Sequence, residues 1–501
     1  MAEINCEHVN DEENMNSSDS ECTSTEENMG RGVQDDDNMN SSDSEDTLTE
    51  ENLVRCVQLQ LPKHIAAYCE KKELIRVTQP MVCDTDLMEK VCNNYIIVKK
   101  ILSNLEWQEK LLCKHVCSTW NSAIHTLNKE QLNATDFVLD LHFNSIKNGI
   151  RFKKSSDFST EPLVVFAFVN TSGTNITSKC MSLLPHPCEP PCEKEHSLLD
   201  FVQQKVCGPK NCMFTVRADY LCYFPLNHSP TYKHTYTFDM FRRPRSIIGG
   251  ISIPAIPDVK FNIINIKSNS DMEKDFYYEV RELSRERIFK GVLVYVTEKY
   301  LLHSVEDFFY LNYFKEAQPD IPYALGGCIV EDCIYDKNDI KLIIDGVNEG
   351  SDFISENLIS IGIFSIPKSV VNSEGEKCNF DVYSLIIEAA DWQKTKIQKN
   401  IDEFSKKIPR FEHSVALKLS CVGRDKKHEL EQNYFRAAFP NTPLIGCYGN
   451  GELGINHPPR PVREEPPSRK RFRRDAGPQL GIIYSYSTVF MYFGWGKIVS
   501  S

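Results

Sequence analysis

Between residues 97 and 120 apolar side chains recur at helical spacing. Ile97, Val98, Ile101, Leu102 and Leu105 share one stripe of a helix, and Lys99 and Lys100 fall off it. The pattern breaks at Glu106-Trp107, and a second helical run then places Leu112, Val116 and Trp120 four residues apart. Further on the period shortens to two. Residues 136–143 alternate apolar with polar side chains, as a half-buried strand does, and residues 163–169 form a continuous apolar run suited to a buried strand. Residues 170–212 read as a loop-rich insertion. Strands resume near 219–224, and 247–266 reads as two strands around Pro254 and Pro257.

Two later stretches carry the same succession of elements. Residues 291–297 predict a strand and 304–317 a helix; Pro319 and Pro322 follow, then a strand into Gly326-Gly327. Shifted by 121 residues, 414–420 predict a strand and 427–438 a helix; Pro440 and Pro443 follow, then a strand into Gly449. Asn312, Tyr313, Phe314, Ala317, Pro319 and Pro322 match Asn433, Tyr434, Phe435, Ala438, Pro440 and Pro443 without a gap. Such clustered identity predicts two copies of one strand–helix–strand unit, built as a pair of α/β lobes with helices covering a sheet. Residues 358–366 and 482–493 each predict a further long strand, and the proline-rich, basic stretch 456–480 predicts a surface loop. The fold class expected is α+β.

Length and composition narrow the function classes. A chain of 501 residues suits two to four domains. No run of 18 apolar residues occurs, so no membrane-spanning helix is expected, and the acidic start gives no expectation of a signal peptide. The 19 cysteines are therefore expected as reduced thiols in nucleus or cytoplasm. The net charge of −13 is local: residues 1–58 carry −15 and the remainder +2. The remainder thus gives no global reason to expect nucleic acid. That acidic segment is a duplication, with residues 13–21 recurring at 37–45, and its composition predicts disorder. Ser18 and Ser42 each have a carboxylate three residues on, as acidophilic kinases prefer.

Residue types within the helical stretch carry more than its period. Ile97, Val98, Ile101, Leu102, Ser103, Leu105, Leu111, Val116, Cys117 and Trp120 together resemble an F-box, although Asn93-Asn94-Tyr95-Ile96 stands where that family usually opens Leu-Pro-x-Glu. The resemblance implies three short helices at 91–130 that bind a Skp-type adaptor through Ile97, Val98, Ile101, Leu102, Leu105, Leu111, Val116 and Trp120. A second set resembles the FIST domain: Cys421-Val422-Gly423-Arg424, the stretch 439–446, the stretch 449–454, and 484–488. It implies a FIST-like N-terminal lobe at 134–284 and a C-terminal lobe at 285–500. Together the two resemblances imply a non-catalytic substrate receptor of a ubiquitin ligase. Cullin and RING subunits would be reached through the adaptor, and nuclear proteins would be the substrates. No cofactor, metal, membrane or direct nucleic-acid contact is implied.

Residues 449–454 also satisfy the glycine spacing of a dinucleotide loop, but Ile455-Asn456-His457-Pro458-Pro459 does not start the helix such a site needs. The glycines are read instead as a tight turn beside a cleft formed by Cys421, Gly423, Arg424, Gly449, Asn450 and Glu452. A guanidinium near Cys421 would favour thiolate. Two readings stay open there: a ligand-binding or thiol-dependent site, and a buried structural thiol. Arg469, Lys470, Arg471, Arg473 and Arg474 form a basic cluster suited to a nuclear import address. Cys188, Cys192 and His196 have spacing open to zinc, but Pro187, Pro190 and Pro191 disfavour a metal-finger helix.

Overall fold

Helices come first. In the computed structural model α1 spans Thr85–Asn93, α2 Tyr95–Leu102, α3 Trp107–Cys113 and α4 Ser118–Glu130. The structure describes residues 85–144, 147–174, 177–179, 195–208, 210–231, 247–303, 311–334, 357–371, 379–460 and 483–499, all within one unit, residues 59–501. The acidic duplication with Ser18 and Ser42, the basic cluster at 469–474, and Cys188 and Cys192 lie outside the described residues. Asn94 starts α2: its side-chain oxygen accepts the amides of Ile96 at 3.1 Å and Ile97 at 3.2 Å. No described helix is long and apolar enough to cross a membrane.

Strands and further helices follow in three successive groups, and the chain is α+β. The first group is β1 Thr135–Asn144, β2 Lys147–Lys154, β3 Pro162–Val169, α5 Leu198–Val202, β4 Met213–Arg217, β5 Tyr220–Phe224 and β6 Ile247–Pro254. The second is β7 Lys260–Ile266, α6 Tyr277–Glu286, β8 Arg287–Thr297, α7 Asn312–Ala317, β9 Ala324–Val330, β10 Asp332–Ile334 and β11 Ile359–Pro367. The third is β12 Asp381–Ile387, α8 Lys394–Lys407, β13 Phe411–Cys421, α9 His428–Ala438, β14 Leu444–Gly449, β15 Glu452–Ile455, β16 Ile483–Tyr484 and β17 Thr488–Ile498.

Their sheets run β10-β4-β3-β6-β1-β2, β16-β15-β9-β8-β11-β7 and β12-β17-β13-β14-β5. Four strands of each sheet share one order: β4-β3-β6-β1, β9-β8-β11-β7 and β14-β13-β17-β12. In each group the first two of these are parallel, β3 with β4, β8 with β9 and β13 with β14. The remaining contacts are antiparallel. Parallel neighbours require a crossover, and α5, α7 and α9 lie in those connections. The unit is therefore present three times, not twice. The two copies legible in the sequence are the second and third. The first was hidden because its crossover helix is a five-residue α5 continued by a π-turn, Gln203–Cys207, inside a stretch read as loop. Strand β7, expected in the N-terminal lobe, pairs with β11 and belongs to the second copy.

The strand after each parallel pair leaves its own copy. β5 pairs antiparallel with β14 of the third copy, β15 with β9 of the second, and β10 with β4 of the first. The exchange closes into a ring. Its centre is apolar and drawn from all three copies, including Phe166 and Phe214, Tyr295 and Phe364, and Met491, Phe493 and Trp495. Cys328 Sγ and Cys447 Sγ lie 3.6 Å apart there, on β9 and β14. Helices cover the outer faces: α6 and α7 bury Val280 and Phe314, and α8 and α9 bury Ile397, Ile401, Phe404 and Phe435. The single strand expected over 482–493 is instead divided. β16 ends at Tyr484, Tyr486 turns with φ 55°, and β17 runs on to Ile498.

Gly327 and Gly446 hold the same place in the second and third copies. Gly327 pairs with Val294 and Gly446 with Lys418, and a Cβ on either would strike the carbonyl oxygen of its ladder partner. Gly327→Ala and Gly446→Ala should each lower stability by about 1–3 kcal/mol, since the neighbour that must yield is backbone. Urea unfolding midpoints check this, and unchanged midpoints would contradict the equivalence.

Candidate functional site

The apolar stripe of α2 divides between two faces. Val98 and Leu102 are fully buried against Ala123, Ile124 and Leu127 of α4. Ile97 and Ile101, one turn apart, are 40% and 42% exposed. Val116, in the turn before α4, is 54% exposed, and Ile96, which the stripe did not single out, is 78% exposed. Leu105 and Trp120 are half-buried on the small α2–α4 core, and the Trp120 indole donates to Cys92 O of α1 at 3.1 Å. Leu111 packs inward, against the core of the first copy. The eight residues marked by the resemblance therefore separate into an inner set that closes the module and an outer set of Ile97, Ile101 and Val116.

Helix α3 ties this module to the first copy. The expected break at Glu106-Trp107 is a helix start, where Glu106 and Glu109 form a capping box. Trp107 is buried beside α5; its amide donates to Phe158 O at 2.8 Å and its indole to Val206 O at 3.1 Å. Gln108 Nε2 donates to Gln204 O at 3.0 Å, and the Glu106 carboxylate meets Lys154 Nζ at 2.6 Å. Buried Lys110 donates to Gln131 Oε1 at 2.5 Å and Ser159 O at 2.8 Å, and burial pulls its ammonium down to about 8. Neither Trp107 nor Lys110 was marked beforehand. A large aromatic placed at the break of a periodic pattern was the available signal for Trp107.

The second site is a buried polar cluster in the third copy. Arg424 Nε donates to Glu431 Oε1 at 2.6 Å with both side chains fully enclosed, and Arg424 Nη1 donates to Tyr486 O at 2.7 Å. Glu431 Oε2 accepts from Thr488 Oγ1 at 2.7 Å. Glu452 Oε2 accepts from the amide and hydroxyl of Ser487 at 3.1 and 2.7 Å. Lys418 Nζ donates to His428 O at 3.0 Å. Of the six expected cleft residues, Cys421, Gly423, Arg424 and Glu452 come together here. Cys421 is half-buried; burial first and the Glu452 carboxylate second push its thiol up. The Arg424 guanidinium does favour thiolate, as expected, but burial and the Glu452 carboxylate outweigh it.

Gly449 and Asn450 turn toward the second copy instead. Asn450 N donates to Ile329 O at 3.0 Å, Ile329 N to Gly451 O at 2.9 Å, and the Asn450 side chain to Glu298. Strand β15, not a helix, follows, so the glycine-rich stretch is the tight turn that carries the chain from β14 to β15, which pairs with β9; Gly451, at φ 143°, supplies the positive φ.

The cluster is peculiar to the third copy. Counting from the paired glycines, Lys418, Ser420 and Cys421 occupy the places held by Val294, Val296 and Thr297 in the second. Aligning the copies strand by strand was the signal that could have found Lys418 and Ser420. Ser487 and Thr488 lie in the stretch 484–488 marked by the resemblance, while His428 and Glu431 carried no signal. Burial raises Glu452 from 4.5 to about 8; burial and then the Lys418 charge hold His428 from 6.5 down to about 2. From pH 4.5 to 8 folded Glu452 keeps a proton the unfolded chain has lost, so its contribution falls as pH rises. From pH 6.5 down to 2 the unfolded chain gains a proton that folded His428 refuses, so stability falls as pH drops. The two oppose each other below pH 6.5, and only Glu452 acts between 6.5 and 8. The thermal midpoint should decline over that upper window, and Glu452→Gln should flatten the decline. An equal decline in the variant would remove Glu452 as its cause. No family model matches the chain, and no curated protein matches it.

Proposed function

We propose that the chain is the substrate-recognition subunit of a Skp–cullin–F-box ubiquitin ligase. Ile97 and Ile101 carry the reading: two β-branched apolar side chains on adjacent turns of α2, exposed while Val98 and Leu102 of the same helix are closed off. Large aliphatic groups held outward on a preformed helix suit docking on a partner, because little ordering entropy remains to be lost. In this reading the outer set meets the Skp-type adaptor, and cullin and RING subunits join through it. The three-copy body, read as FIST-like, grips a nuclear protein destined for the proteasome, in nucleus and cytoplasm. Ubiquitin transfer belongs to the partner subunits and needs no catalytic residue in this chain.

The test is co-purification of the full chain with a Skp-type adaptor, for the parent and for Ile97→Asp combined with Ile101→Asp. Both positions are exposed, so the variant should fold with an unchanged thermal midpoint. Two carboxylates buried unpaired at the interface should cost several kcal/mol and abolish capture. Equal capture by a folded variant would sink the docking claim.

A further inference from the structure

We propose that the buried polar cluster of the third copy, roofed by Trp392 and Tyr486, is a binding site for a small carboxylate bearing an apolar or aromatic group. The proposal goes beyond the adaptor reading and does not rest on it.

Two unmet hydrogen-bonding groups point to the ligand. Arg424 and Glu452 are 1% and 0% exposed, yet Arg424 Nη2 and Glu452 Oε1 have no hydrogen-bond partner among the described residues. Leaving such groups unpaired costs on the order of 1–3 kcal/mol each, more when charged. Both act as donors near neutral pH. Glu452 Oε2 already accepts two bonds from Ser487, so the proton that burial retains on this group sits on Oε1. A guanidinium N–H and a carboxylic acid O–H together suit the two oxygens of a carboxylate. The surroundings agree: the fully buried Lys418 and Arg424 side chains lie near one carboxylate, Glu431, and it is Arg424 that is bonded to it.

The roof supplies the apolar half. The Arg424 guanidinium lies 5.9 Å from the Trp392 ring, and Trp392 and Tyr486 meet edge to face at 6.4 Å. Both rings are exposed. Tyr486 holds φ 55°, a conformation costing a tyrosine about 1–3 kcal/mol. Gly423 makes its position possible, since a Cβ there would lie 2.7 Å from the Tyr486 ring. The fold itself does not require these charges, because the second copy builds the same strand with Val294 and Val296. Apolar replacement of a buried ion pair is commonly neutral or stabilising, so its presence calls for a use.

The experiment is calorimetric titration of the full chain with hydrocinnamate and, separately, with its uncharged amide. Hydrocinnamate should bind with Kd below about 1 mM and the amide about tenfold more weakly. Trp392→Ala, Tyr486→Gly and Arg424→Lys should each weaken hydrocinnamate by about tenfold or more. Tyr486→Gly relieves the strained φ, so lost binding there is not lost folding. Absence of saturable hydrocinnamate binding, equal binding of acid and amide, or parental affinity in the Tyr486→Gly variant would overturn the proposal. Adaptor capture, which depends on α2, is unaffected by any of these results.

Discussion

Backbone hydrogen bonding across borrowed strands is the constraint on which this structure depends. Each parallel pair ends on a strand whose outer edge would otherwise present unpaired amides and carbonyls. β5, β15 and β10 each leave their own copy and cover the edge of another. Because all three edges meet this way, the copies share one apolar centre rather than packing three separate ones. The turn at Gly451 that sends β15 across belongs to the same arrangement.

A frame closed so completely tolerates an expensive interior in one of its parts. Helix α9 turns its own His428, Glu431 and Gln432 inward over Lys418 of β13 in the third copy, where α7 of the second covers an apolar strand. The enclosed Arg424–Glu431 pair keeps its geometry because Tyr486 O, just before β17, holds the guanidinium and Thr488 Oγ1, at the start of β17, holds the carboxylate. At the other end of the chain, α3 is fixed by the Trp107 indole and the Lys110 ammonium, so the outward isoleucines of α2 stand on a base continuous with the first sheet. The two sites thus rest on one scaffold while depending on different chemistry.

Much of the architecture was legible in the residues and some was not. The α2 stripe shows in its period, but period alone cannot tell which of Ile97 and Val98 faces the partner helix and which faces out. The second and third copies share Asn-Tyr-Phe and two prolines; the first has neither, and only pairing of β3 with β4 reveals it. Residues 482–493 read as one strand because Tyr484, Tyr486 and their neighbours are good strand formers. The positive φ at Tyr486 is set by what surrounds it, including the room left by Gly423. Cys421 and Arg424 were marked together for their chemistry, but pairing of Arg424 with Glu431, seven residues on, is a tertiary fact that spacing did not disclose.

The ring of borrowed strands has a consequence for how the molecule is made. β5 spans Tyr220–Phe224, and its acceptor β14 spans Leu444–Gly449, so the ribosome must add more than two hundred residues before the first of these can find its place. Throughout that interval the nascent polypeptide carries a tyrosine- and phenylalanine-rich segment with no neighbour to zip against, the sort of exposed edge that chaperones shield. Placement of β5 is therefore a late event, and a chain that stops before Leu444 leaves β5 without its neighbouring strand.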